Sequence, residues 1–242
     1  MIRSHLLRRV SRLAGLAACV VLTFGCSTVP WSKSARASAE FVPTNHSGDS
    51  VLPTSVRRVV LLPLAGGEIA PPASMADLDP IVAAALQHQN RFEVITVSRD
   101  ACRRLFSTEE LSSVEALPAN FMAVIRHEFA ADAVLFVDVT VFHAYRPLAI
   151  GFRAKLATVR DVRLVWTFDN LFSASDPVIA KSASRHLEAD GLPEVPSDLS
   201  PAALQSPSRF TAYAAEAMFG TLPPLAPAGI PVVAADLPAP AR

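Results

Sequence analysis

Hydrophobic positions acquire a structural period only after about residue 55. Residues 57–64, Arg-Arg-Val-Val-Leu-Leu-Pro-Leu, form a short apolar run closed by proline and by Gly66-Gly67, which predicts a buried central strand. Asp79-Pro80 then reads as an N-cap followed by a first-turn proline, with Leu78, Ile81, Val82, Ala85 and Leu86 at helical spacing and Asn90 at the end. Residues 92–97 give a second strand, and strand, helix, strand in this span predict a right-handed parallel crossover. Residues 99–106 predict a short helix turning Cys102 and Leu105 inward, and Ser107 with Glu110 has capping-box spacing. Residues 120–130 predict a helix with Phe121, Val124, Ile125 and Phe129 on one stripe.

The strongest strand patterns follow. Residues 133–145 are dense in Val and Phe. Residues 148–160 alternate Ile150, Phe152, Ala154 and Leu156 against Gly151, Arg153, Lys155 and Ala157, and residues 162–168 alternate in the same way. Period two with cations on one side means one buried face and one wet face. Turns at Arg146-Pro147 and Arg160-Asp161 make this an antiparallel meander. A short helix at 179–187, a Gly/Pro/Ser-rich loop and a helix at 208–219 burying Phe210, Tyr213, Ala214 and Ala217 complete the pattern. The expected fold is α/β (mixed α+β): a mixed sheet of about five strands in the order β-α-β-α-α-β-β-β-α, with helices on one face or both. The domain spans residues 56–220, and the Pro/Ala-rich residues 221–242 read as a disordered tail.

The N-terminus follows a different rule. Residues 1–12 are basic, and residues 13–25 are free of charge. As a helix that run spans about 20 Å against a bilayer core of about 30 Å, so it fits the apolar region of a secretory signal. Leu22-Thr23-Phe24-Gly25-Cys26 resembles a bacterial lipobox. Leu16-Ala17-Ala18-Cys19 matches the letters better but leaves only six apolar residues after Arg12. The length requirement selects Cys26, and Cys19 stays open as the alternative. The lipobox resemblance implies a signal peptide over 1–25 and triple acylation of Cys26, palmitate included, where a single chain would anchor only marginally. Ser27 in place of aspartate implies sorting to the outer membrane, facing the periplasm. An ordinary cleaved signal would instead leave a soluble periplasmic protein. Residues 26–55, rich in Ser, Ala, Thr and Pro, read as the lipidated cysteine and a flexible tether with ends about 30 Å apart.

Charge narrows the partners. The chain is formally neutral, with 22 basic and 22 acidic residues. Removing Arg3, Arg8, Arg9 and Arg12 with the signal leaves 18 against 22, a net charge of −4. Nucleic-acid binding needs a concentrated positive field and is excluded as a role. With Cys19 removed and Cys26 acylated, Cys102 is a lone thiol, expected to be a buried small hydrophobe rather than a reactive group.

Candidate chemistry is sparse. His127-Glu128 lacks the second histidine of a zinc helix, since position 131 is Ala131 and Asp132 is off that face. Gly66-Gly67 lacks the spacing and lysine of a phosphate loop. Asp138 and His143 share an apolar strand, yet no GxSxG supplies a nucleophile for a hydrolase. Arg153, Lys155 and Arg163 form a basic group on the open sheet face that could meet an anionic partner surface. No catalytic residue, metal site or cofactor is expected.

Residues 57–64 ending Leu-Leu-Pro, Arg91-Phe92-Glu93-Val94 leading into Ser98-Arg99, and Ala131-Asp132-Ala133-Val134-Leu135 leading a strand that runs to a tyrosine carry a resemblance. With two long strands and Trp166 late in the second, residues 56–172 resemble the TolB N-terminal-like, CsgG/LpoB-type envelope proteins. The resemblance implies a non-catalytic role as a protein–protein interaction or assembly factor, with an envelope protein as partner. The alternatives are a homo-oligomeric subunit of a secretion or ring complex and a periplasmic hydrolase.

Overall fold

The computed structural model describes residues 41–67, 69, 71–189 and 202–226. The expected signal, Cys26, residues 27–40 of the expected tether and residues 227–242 of the expected tail lie outside the described residues.

Six strands form one open sheet: β1 (His46–Gly48), β2 (Arg58–Leu61), β3 (Glu93–Thr96), β4 (Ala133–His143), β5 (Ala149–Thr158) and β6 (Leu164–Ser173). Their spatial order is β1-β6-β5-β4-β2-β3. β2 runs parallel to both β3 and β4, and the remaining pairs are antiparallel. The described helices are α1 (Pro72–His88), α2 (Arg99–Phe106), α3 (Phe121–Phe129), α4 (Pro177–Ala189) and α5 (Pro207–Phe219), with a 3₁₀ turn at Ala202–Gln205. The mixed α+β class and the parallel crossover are as the sequence pattern predicts.

Alternation along the strands builds two cores. Val59, Leu61, Leu135, Val137, Phe152, Leu156, Trp166 and Phe168 point to one face, where Val82 and Leu86 of α1 and Phe210, Tyr213 and Met218 of α5 cover them. Val60, Leu62, Val134 and Phe136 point to the other, against Cys102 of α2 and Phe121 and Ile125 of α3. Helices therefore pack on both faces. On the second face the β5–β6 positions Arg153, Lys155, Thr167 and Asp169 stay partly exposed, and Leu171 is exposed.

The structure corrects four expectations. The tether was expected to reach residue 55, but β1 pairs with β6 from within it, and Leu52 and Val56 are core residues. A three-residue strand is too short to show a period and forms because β6 offers it an edge. At the other end, Leu222 is buried and Leu52 N–H donates to Pro224 O at 2.8 Å, so the ordered chain continues past 220. Helix α1 starts at Pro72, a turn or two before Asp79, and Pro80 lies inside it. Asp79 is no cap, because its carboxylate accepts from Leu64 N–H instead. Ser107 opens no helix: it closes α2 in the left-handed region at φ 63°, while Ser98 is the true N-cap, accepting from Ala101 N–H at 3.2 Å.

Candidate functional site

The geometry of the parallel strands selects one end of the sheet. The chain leaving β2 enters α1 on the first face, whereas the chain leaving β3 enters α2 on the second. Where two such connections part, the carboxyl ends of the strands leave a crevice, the usual ligand position in open α/β sheets. Here it measures about 700 Å³ and is lined by Leu62, Pro63, Ala83, Thr96, Ser98 and Arg103 among others. That volume is in the range of small-molecule and side-chain pockets.

A charge network lies beside the crevice. Pro63 has no N–H and ends the regular β2 ladder, which leaves the Leu64 backbone to side chains. Leu64 N–H donates to Asp79 Oδ1 at 2.9 Å, and Arg99 Nη2 donates to Leu64 O at 2.8 Å. Arg99 also binds Asp79 through Nε at 2.8 Å and Glu110 through Nη1 at 2.9 Å. Glu110 Oε1 accepts from the N–H groups of Gly66 and Gly67 at 3.1 and 3.0 Å. The glycine pair thus holds an anion, but the anion is the chain's own carboxylate, placed by the loop that the capping-box reading turned into a helix.

Burial pushes the Asp79 carboxyl above its ordinary value, more than the hydrogen bonds from Leu64 and Arg99 pull it down. Burial also lowers the Arg99 guanidinium, but its bonds to Asp79 and Glu110 outweigh that and raise it. The two directions are compatible: burial makes the Asp79 carboxylate harder to ionise, and once ionised it helps Glu110 hold the proton on Arg99. The rise at Asp79 then measures what burial costs it. At the rim Arg103 pairs with Asp100 at 2.9 Å and with Glu109. Six charged groups, Asp79, Asp100, Glu109 and Glu110 against Arg99 and Arg103, leave an excess of two negative charges. The crevice suits an apolar body with a neutral or cationic head.

His127, Asp138 and His143 are not among the residues that line this crevice. His127 is exposed on α3, its Nδ1 3.0 Å from Oε1 of Glu128 beside it. His143 is exposed at the end of β4. Asp138 is buried in β4, and the Ser113 N–H and hydroxyl both donate to its carboxylate. Asp132, dismissed as a metal ligand, accepts from Arg57 and Arg58 N–H at 3.0 Å and fixes the start of β2. Among the described residues no three His, Cys, Asp or Glu side chains converge as a metal site. Cys102 is fully buried, and burial pushes its thiol up to about 11.

The basic group divides. Arg153 and Lys155 lie on the open sheet face, Arg153 paired with Asp169 at 2.9 Å and Lys155 donating to Ser113 O at 2.8 Å. Arg163 is in the β5–β6 turn, bound to Asp49 at 2.8 Å. Sequence reasoning missed Asp79, Arg99 and Glu110 as a cluster. Their spacing of 20 and 11 residues has no local period, and only the crossover brings them together.

No protein-family model matches the chain, and no curated protein matches it. Some solved structures are similar in part. A PelC dodecamer from Paraburkholderia phytofirmans has 15% identity and a TM-score of 0.36, over 56% of this chain and 86% of that one. Lipoprotein GNA1162 from Neisseria meningitidis has 12% identity and a TM-score of 0.41, over 56% of this chain and 98% of that one. The LpoB C-terminal domain from Salmonella enterica has 16% identity and a TM-score of 0.30, over 48% and 82%. Bacterial lipoproteins are thus among the similar structures, at a likeness too low to carry an argument about what this chain binds.

Proposed function

We propose that the chain is an envelope lipoprotein, anchored at Cys26 after removal of residues 1–25, whose domain works by protein–protein interaction rather than catalysis. The outer membrane, on its periplasmic side, is the location this reading assigns. The observation that supports the interaction role most is the half-covered second face of the sheet. There Arg153, Lys155 and Asp169 stand beside exposed Leu171 and Val114, a mixture of both charges and apolar surface typical of a non-obligate protein contact. The placement of His127 on α3, and of buried Asp138 and exposed His143 five residues apart along β4, adds to it, since general acid–base chemistry needs such groups within hydrogen-bond reach of one reacting atom. Arg163, turned toward Asp49, contributes to the edge of this surface rather than to its centre.

The test is crosslinking in intact cells from a photoreactive residue at Leu171, with and without Arg153→Glu and Lys155→Glu together. The reading predicts a discrete crosslinked partner that the double variant loses while the domain stays folded, its stability lowered by the lost Arg153–Asp169 pair and Lys155–Ser113 bond. Partner capture unchanged by the double variant contradicts it.

A further inference from the structure

The described chain begins at Phe41, whose ring packs edge-on against Phe172 at 5.8 Å and whose N–H donates to Ser182 Oγ at 3.2 Å. In the β5–β6 register Phe172 lies opposite Ile150 and Ser173 opposite Ala149. The point where the chain enters the domain is therefore at the same end of the sheet as the β4–β5 hairpin tip, residues 144–148. That tip carries Tyr145 with 88% of its surface exposed, beside Ile69 at 46%. With Phe142, Pro147 and Pro71 they border a depression of about 530 Å³. His143 and Arg146 flank it, and no carboxylate is among its described lining residues.

An exposed tyrosine and isoleucine with an adjoining arginine is the composition that settles at the headgroup level of a bilayer, the ring taking the interface and the guanidinium meeting lipid phosphates. Chain length adds the second constraint. Cys26 and Phe41 are 15 residues apart, so the anchor can be no more than about 50 Å from the entry point. Resting on the lipoprotein reading, we infer that the hairpin-tip end of the domain, with Tyr145, Ile69 and Arg146, is a docking surface for the phospholipid bilayer that holds the anchor. The opposite end, with the Arg160–Asp161 turn, is about 30 Å away along the ten residues of β5 and faces away from the membrane. The open sheet face then stands roughly perpendicular to the bilayer, within reach of a second envelope protein.

The experiment uses the full acylated protein reconstituted into vesicles of phosphatidylethanolamine and phosphatidylglycerol containing a headgroup nitroxide lipid. Tyr145→Cys and, separately, Arg160→Cys are labelled with an environment-sensitive thiol-reactive fluorophore. Cys26 is blocked by its own acylation and Cys102 is buried, so each variant reacts at the new position alone. The expected result is a blue shift at position 145 and nitroxide quenching at least about threefold stronger there than at 160, since interfacial groups sit within about 5–10 Å of the headgroups. Intact mass of each sample reports acylation independently. An acylated protein quenched equally at both positions, or at neither, overturns the docking surface and leaves the anchor standing; protection of position 145 only when envelope protein is added would make the tip a protein contact and equally overturn it. A chain without acylation overturns both readings.

Discussion

Ala130 follows α3 at φ 49°, in the left-handed region where a Cβ crowds the following carbonyl at a cost of about 1–2 kcal/mol. Glycine removes that clash, so Ala130→Gly is expected to stabilise the domain by about 1 kcal/mol and raise the thermal midpoint by roughly 2–4 °C. A lowered midpoint in a calorimetric scan would contradict the assignment. Asp79 makes a prediction of opposite flavour. An acid raised in the folded state binds its proton more tightly there than in the unfolded chain. Its contribution to stability therefore falls as pH rises from 3.8 through the folded titration. Relative to Asp79→Asn, the natural protein should gain stability as pH falls through that window, read from urea midpoints at several pH values. A relative loss would mean that the Arg99 pair dominates Asp79 after all. Neither residue was legible as structural: Ala130 looks like an ordinary helix residue, and Asp79 before Pro80 has the letters of a cap. What a side chain caps depends on the backbone group in front of it, and for Asp79 that group is Leu64, 15 residues earlier.

At the scale of elements, long periodic segments were legible and short or interrupted ones were not. Helix α2 occupies the predicted residues 99–106, and α3 departs from prediction by one residue at each end, because apolar spacing and tertiary packing agree there. β1 and the first two turns of α1 were missed: three edge residues have no period, and Pro71-Pro72 reads as loop until Met75 and Leu78 are seen to be buried. The β4–β5 pairing contains a feature that sequence alternation hides, a bulge between Val139 and Val141 that reverses which face the later residues of β4 meet. Gly151 makes it fit. A Cβ there would run into Thr140 Oγ1 and lie 3.2 Å from Val141 N. Gly151→Ala is expected to cost about 1–3 kcal/mol by overpacking, seen as a lower urea midpoint with an unchanged slope. A neutral effect would mean that the bulge can relax. The crevice belongs to this scale too. Its existence followed from the crossover the sequence predicts, whereas its residents come from β2, α1, β3, α2 and the loops beside them, whose mutual register no local pattern encodes.

At the scale of the whole molecule, an N-terminal anchor at Cys26 and the α/β domain are two parts of one proposed envelope protein. Among the described residues no helix is long and apolar enough to cross a membrane, so the proposed attachment rests on the N-terminal pattern alone. The orientation of the hairpin tip and the exposure of the Arg153–Lys155 face to a partner both depend on that attachment. The most direct test is the intact mass of the mature protein extracted from membranes, beside Cys26→Ala. The account predicts a chain beginning at Cys26 and heavier by three acyl groups and their glycerol linker, with the variant lacking that mass and leaving the membrane fraction. An unmodified chain in the soluble fraction, or acylation that survives Cys26→Ala, would contradict it.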